Sequence, residues 1–196
     1  SAKENSGELE KELVWVVDPI DGTLNFSRGL PFWGISLALF NEARPAFGII
    51  YLPSDDELYM AVKGEGANLG RRTLKVAERT NPKELYAVFG HKGLSSKLQS
   101  KLFSVIGEAQ LHARGVGSAV YHFAHVAQGQ FDLHVGINLA LWDIAAGWIL
   151  VEEAGGKLEI FRKDKEAQAI GDPYHLWYAA GNKTVVDWIS TKLKDL

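Results

Sequence analysis

The 196-residue chain contains no cysteine. This excludes disulfide scaffolding, iron–sulfur clusters, Cys-ligated zinc and thiol catalysis. It also fits a reducing compartment, so a cytoplasmic location is the expectation. An excess of positive charge is missing too. Against 21 Lys and Arg stand 24 Asp and Glu, a formal net charge of −3, which leaves no electrostatic footprint for nucleic acid. No apolar run approaches the ~20 residues of a membrane span. The polar, acidic stretch from Ser1 to Glu12 is no signal peptide. Nucleic acid and membrane are therefore not expected partners. Internal repeats, low-complexity tracts and clear linkers are also absent. The remainder, 46% hydrophobic and 23% charged, is the composition of an ordinary globular chain with one substantial core.

Residues 13–17 form a short apolar run that reads as a buried strand. Asp18-Pro19 should end it, because proline cannot continue a hydrogen-bonded ladder. Residues 33–40, 46–52 and 57–62 read as three more strands of an antiparallel meander, joined by turns at 41–45 and 53–56. Residues 63–72 read as a Gly-rich loop before a short strand at 74–76. Beyond residue 80 the pattern changes. Strands at 85–89, 111–114, 131–135, 157–161 and 176–180 are interleaved with helices at 95–108, 118–127, 142–154 and 183–193. Gly155-Gly156 stops the third helix. Such interleaving predicts a layered α/β fold. The natural division is an antiparallel-sheet part, 1–80, and an α/β part, 81–196, within one compact unit.

The chemically informative stretch is Trp15-Val16-Val17-Asp18-Pro19-Ile20-Asp21-Gly22-Thr23-Leu24-Asn25-Phe26. Two carboxylates three residues apart, with Pro19 stiffening the turn between them, can point into one cleft and hold a hard divalent cation. The Ile20 carbonyl is a further oxygen donor. Gly22 and Thr23 offer backbone N–H groups to a phosphate, and the Thr23 hydroxyl can orient a water. The same residues also read as a strand-ending Asx turn followed by a helix cap. In Leu141-Trp142-Asp143-Ile144-Ala145-Ala146-Gly147, Asp143 opens an otherwise apolar helix. It is either the N-cap, worth ~1 kcal/mol, or a third metal carboxylate. The small residues Ala145, Ala146 and Gly147 let that helix approach a neighbour or a ligand closely.

Together, Asp18-Pro19-Ile20-Asp21-Gly22-Thr23 with Asn25-Phe26, Trp142-Asp143-Ile144-Ala145-Ala146-Gly147 and Glu152-Glu153-Ala154-Gly155-Gly156 resemble the inositol monophosphatase family. That family lies within the wider sugar phosphatase superfamily that includes fructose bisphosphatase. Lys63-Gly64-Glu65-Gly66-Ala67 with Leu74-Lys75-Val76 resembles the family's Gly-rich hairpin. Arg114-Gly115-Val116-Gly117-Ser118-Ala119 resembles the segment opening its later helix. The resemblance implies a layered α-β-α-β sandwich lacking the family's first helical layer. It implies hydrolysis of phosphomonoesters of small polyols or sugars by metal-activated water, more than one Mg²⁺ ion, a small phosphorylated substrate and a homodimer. Residue by residue, it implies metal binding by Glu4, Asp18, Asp21 and Asp143, with the Ile20 carbonyl. Catalytic roles fall to Glu4, Asp21 and Thr23, and substrate contacts to Gly22, Thr23, Ser118, Ala119 and Asp143. Glu4 is placed by aligning Ser6-Gly7 with the family's Glu-Glu-Ser-Gly-like segment, which sets Asn5 where the family has a second acid.

Three departures bear on substrate and activity. The family's upstream helical region, with an acid that partners the threonine matching Thr23, has no counterpart here. The chain opens at Ser1 and almost directly on this chemistry, which points to a processed or truncated product. Asn5 replaces an acid. Inositol-hydrolysing members usually carry an acid just before Trp-Asp, and gapless alignment sets Gly136 there. Phosphorylated sugars or broad specificity thus stay open beside inositol phosphates. So do a catalytically degenerate metal- or phospholigand-binding relative and a nucleotidase acting on 3′-phosphoadenosine-type substrates. His122 and His125, three apart on an expected helix, are a conceivable metal pair but fit packing or surface roles better. Arg114 is either a substrate contact or a salt-bridge or surface residue.

Overall fold

A computed structural model describes residues 13–91, 95–163 and 176–194, the side chains at 162 and 163 excepted. The first half of the described chain is an antiparallel meander. Its strands are β1 (Val14–Asp21), β2 (Gly34–Asn41), β3 (Arg44–Leu52), β4 (Glu57–Val62), β5 (Gly66–Leu69) and β6 (Arg72–Thr73), lying side by side in chain order. A short helix, α1 (Thr23–Ser27), fills the connection between β1 and β2. Side chains alternate as a half-buried sheet requires. Ala38, Phe40, Ile50, Leu52, Tyr59 and Ala61 turn into the core. The cross-strand rows Val17–Leu37–Ile49–Met60 and Ile35–Tyr51–Leu58 turn the other way, and Val17, Ile35, Leu58 and Met60 are exposed.

Two expectations fail in the later part of this sheet. The stretch read as a loop, 63–72, contains β5, which pairs with β4. The strand expected at 74–76 does not form. Leu74 and Val76 are buried, but their N–H groups go singly to the carbonyls of Ala67, at 2.8 Å, and Ala154, at 3.0 Å. The apolar alternation there marks an irregular segment dropping side chains into the core.

The second sheet has five strands: β7 (Tyr86–His91), β8 (His112–Arg114), β9 (Leu133–Leu139), β10 (Lys157–Lys163) and β11 (Leu176–Gly181). Their spatial order is β10-β11-β9-β7-β8, with β7 parallel to both β8 and β9 and the other pairs antiparallel. The helices α2 (Ser96–Glu108), α3 (Ala119–Ala127), α4 (Leu141–Glu153) and α5 (Lys183–Leu193) match the expected segments within two residues at each end. Period-two alternation divides β11 between two cores. Leu176, Tyr178 and Ala180 join α3, α4 and the first sheet, whereas Trp177 and Ala179 join α2 and α5. The described layers are therefore first sheet, α3 with α4, second sheet, α2 with α5, an α-β-α-β sandwich.

The small residues of α4 set the spacing between layers. A methyl group on Gly147 would lie 2.1 Å from the Phe123 ring of α3. On the β3 side, Gly48 meets Ala146 and Ile149 so closely that a Cβ there would lie 2.6 Å from Ile149. The close approach expected of these residues is thus made to neighbouring elements. No described helix is long and apolar enough to cross a membrane.

Candidate metal centre

Proline does not end β1. The strand lies at the sheet edge, where a missing N–H removes no ladder bond, and it continues through exposed Pro19 to Asp21. Its pairing shifts from Asp18↔Ser36 to Asp21↔Gly34, three residues on β1 against two on β2. This is a β-bulge. It decides where the two acids point. Side chains three apart on a regular strand face opposite sides, but the extra residue brings Asp21 to the inner side with Asp18, and both are buried.

The third acid arrives from the opposite direction. Asp143 is the third residue of α4 and not its N-cap, a position held by Ala140. Its Oδ2 accepts the Ala140 N–H at 2.9 Å, as the acid of a capping box does. One carboxylate oxygen from each of Asp18, Asp21 and Asp143 lies within 4.8 Å of the other two. Among the described residues this is the one group of three or more potential ligands so placed.

Each acid has a hydrogen-bond donor of its own. Asp18 Oδ1 accepts the Ile20 N–H at 3.2 Å. Asp21 Oδ2 accepts the Ser118 hydroxyl at 2.6 Å and the Val120 N–H at 3.0 Å. Burial nevertheless pushes the Asp21 carboxyl up to about 6; the two bonds oppose this, and the charges of Asp143 and Asp18 add to it. Gly22 follows at φ 80°, and a Cβ there would lie 2.8 Å from the Phe32 carbonyl. Both the left-handed backbone and the lack of space call for glycine.

Asp18, Ile20, Asp21, Gly22, Thr23, Leu24, Gly117, Trp142 and Asp143 line one open cleft of about 310 Å³. The structure thus brings together six of the residues singled out from sequence. Ser118 and Ala119 do not line it. Ser118 stands behind Asp21 and also caps α3, accepting the Tyr121 N–H at 3.2 Å. Glu4 and Asn5 lie outside the described residues. Arg114 bonds the Ala113 carbonyl and lies over the Tyr86 ring, away from the cleft lining. His122 and His125 are separated in role. His122 faces His134, while His125 stacks on Tyr121. Gly136 is buried in β9, and a Cβ on it would lie 2.2 Å from the Tyr178 ring. Tyr178 therefore fills the space where the aligned acid would project. No Lys, Arg or His lines the cleft among the described residues. An all-oxygen donor set with no basic side chain at hand fits a hard divalent cation.

Comparison with known proteins agrees with this geometry. The sequence matches the profile of the inositol monophosphatase family over residues 1–181. The chain belongs to the inositol monophosphatase family. An inositol-1-monophosphatase of Rhizobium meliloti is 40% identical over 148 residues, 72% of this chain and 54% of the relative. A protein of Pasteurella multocida named Nus factor SuhB is 35% identical over 159 residues, 78% and 60% of the two chains. The chain thus spans between half and two thirds of the length of these curated family members. Among solved structures, SaIMPase-II with inositol monophosphate bound superposes with a TM-score of 0.80 at 27% identity, covering 99% of this chain and 74% of that one. The same protein with 2′AMP bound gives a TM-score of 0.78 at 28% identity, over 96% and 72% of the two chains.

A carboxyl held at about 6 when folded and near 3.8 when not costs the metal-free fold on the order of 3 kcal/mol above pH 6. The folded state then binds the proton more tightly. Stability from this group is greatest below pH 4 and is lost as pH rises through 6. The Asp21→Asn variant, free of metal, is expected to be more stable than the parent at pH 7.5, with the gap closing at pH 4. Urea denaturation at both pH values measures this. A variant less stable than the parent at pH 7.5 contradicts it.

Proposed function

We propose that this chain carries the catalytic centre of a Mg²⁺-dependent phosphomonoesterase acting on small phosphorylated metabolites. The observation that supports this reading most is the convergence of Asp18, Asp21 and Asp143 on one open cleft. In this reading these three side chains hold the cation, with the Ile20 carbonyl as a further donor and Glu4 completing the set. A divalent ion bound there supplies acidity to a water and neutralises charge developing on the phosphate.

The chain's own residues do the rest. Thr23, at the exposed edge of the cleft, orients the attacking water through its hydroxyl. Gly22, left without a side chain by its surroundings, allows the phosphate close to the backbone. Ser118 and the Val120 N–H hold Asp21 so that it need not reorganise during the reaction. Water attacks phosphorus and gives up a proton, the ester P–O bond breaks, and the leaving oxygen takes up a proton in exchange. No covalent enzyme intermediate is involved.

The proposed substrate class rests on the position aligned with the family's acid, Gly136. The homologous SaIMPase-II structures contain inositol monophosphate and 2′AMP, a polyol and a nucleotide ester. With Tyr178 occupying the space beside Gly136, this chain lacks the carboxylate that would bind an inositol hydroxyl. Phosphorylated sugars or a broad range of monoesters fit better. A second reading, a non-catalytic metal- or phospholigand-binding relative, is favoured by Asn5 and by the Nus factor name of several relatives.

Phosphate release with and without Mg²⁺ from inositol monophosphate, fructose bisphosphate, 3′-phosphoadenosine phosphate and glycerol phosphate separates the two. Mg²⁺-dependent turnover is expected, and Asp143→Asn should lower Mg²⁺ affinity and turnover together, each by about tenfold or more, without lowering the unfolding midpoint of the metal-free protein. Full activity in Asp143→Asn removes that residue from the site, and silence from a folded, Mg²⁺-binding protein supports the second reading. Gly136→Glu should destabilise the fold by about 3 kcal/mol or more through overpacking against Tyr178 and give no preference for inositol phosphate. A stable variant that gains such a preference contradicts the account of this position.

A further inference from the structure

The turn that holds Asp21 is itself held by a buried histidine pair. Between the end of β8 at Arg114 and the start of α3 at Ala119, the chain passes through Gly117 at φ 80°. The turn ends at Ser118, the N-cap of α3, so it sets both donors to Asp21: the Ser118 hydroxyl, and the Val120 N–H in the first turn of α3 that follows.

Its Val116 residue is gripped at both polar groups. The carbonyl accepts the Asn25 amide at 2.6 Å. The N–H donates to His122 Nε2 at 3.2 Å. Asn25 is buried and gives its amide also to the Phe32 carbonyl at 2.7 Å. His122 is fully buried on α3, and its own N–H bonds the Ser118 carbonyl at 3.2 Å.

The acceptor role at Nε2 fixes the ring's proton on Nδ1. That atom lies 3.1 Å from His134 Nε2, to which it donates. The proton of His134 is then on its Nδ1, a buried atom with no hydrogen-bond partner among the described residues. Burial pushes His122 down to about 3 and His134 well below the usual histidine range, so both rings stay uncharged. Apolar side chains would fill this core without leaving a buried donor unmatched. The polar pair therefore has another use: it meets the Tyr178 hydroxyl, 3.4 Å from His134 Nε2, on one side and the Val116 N–H on the other.

We propose that His122 is a positioning residue for Asp21: backed by His134, it holds the Val116 N–H and, with Asn25, locks the turn that presents Ser118 and Val120 to the Asp21 carboxylate. Its relevance to catalysis rests on the metal-centre reading of Asp21. Two substitutions in the full chain test it. His122→Gln keeps an acceptor for Val116 and a donor for His134. His122→Phe keeps the ring and removes both.

Amide hydrogen exchange of the metal-free protein reads the clamp at Val116 and Val120, with Ala179 in the second sheet as reference. His122→Phe is expected to lower protection at Val116 and Val120 at least tenfold relative to Ala179, and to weaken Mg²⁺ binding by calorimetry about as much. His122→Gln should restore both. Should His122→Phe fail to fold, His122→Asn, too short to reach Val116, supplies the same arm. Unchanged Val120 protection where Val116 protection is lost overturns the proposal, as does a Gln variant no better than Phe. An unsubstituted protein that binds no Mg²⁺ overturns the metal-centre reading instead, and the Val120 exchange still decides the clamp.

Discussion

Three carboxylates buried within 4.8 Å of one another repel each other and lose their hydration, and the rest of the molecule is arranged around that conflict. Without compensation such a cluster takes up protons. Asp21, pushed up to about 6, shows the pressure directly. The chain supplies part of the relief: the Ile20 N–H to Asp18, the Ala140 N–H to Asp143, and the Ser118 and Val120 donors to Asp21. A divalent cation supplies the remainder in the reading offered here. The metal-free fold thereby tolerates an ionisation penalty that its proposed function requires.

The acids come from opposite sides of the α3–α4 layer junction. Asp18 and Asp21 enter from the edge of the first sheet, on one face only because β1 carries an extra residue. Asp143 enters from the first turn of α4, which sits against β3 and α3 because Gly48, Ala146 and Gly147 leave no side chains in the way. The turn before α3 reaches Asp21 from the second sheet's side. The centre is thus where the two sheets' connections meet, so an alteration in layer packing is transmitted to the carboxylates.

Much of this was legible in the sequence. The meander and the four longer helices follow from periodicity, and the three aspartates from the resemblance to the family's motifs. What escaped did so for physical reasons. Pro19 reads as a strand terminator because the sequence does not show that β1 lies at an edge, where the missing N–H is harmless. Leu74 and Val76 alternate like a strand because they are buried, not because they are paired. Ser118 faces Asp21 and not the cleft, and its role depends on a long-range contact that no local pattern encodes. His122 is buried, one of the two roles its sequence position allows, and it faces the buried His134. Their tautomers, and with them the grip on Val116, appear only in three dimensions. Gly136 was located by alignment, but the occupation of its space by Tyr178 was not.

The outward rows of the first sheet leave Val17, Ile35, Leu58 and Met60 exposed, on a chain shorter than its curated relatives. None of these side chains lines the cleft, so the metal site can be tested in this chain as it stands. The most direct measurement is anomalous diffraction from crystals grown with Mn²⁺ in place of Mg²⁺. A peak is expected in the cleft, with oxygens of Asp18, Asp21 and Asp143 about 2.0–2.3 Å away, as hard-cation coordination requires. Saturating Mn²⁺ with no peak between these carboxylates, or with a peak at another site only, contradicts it.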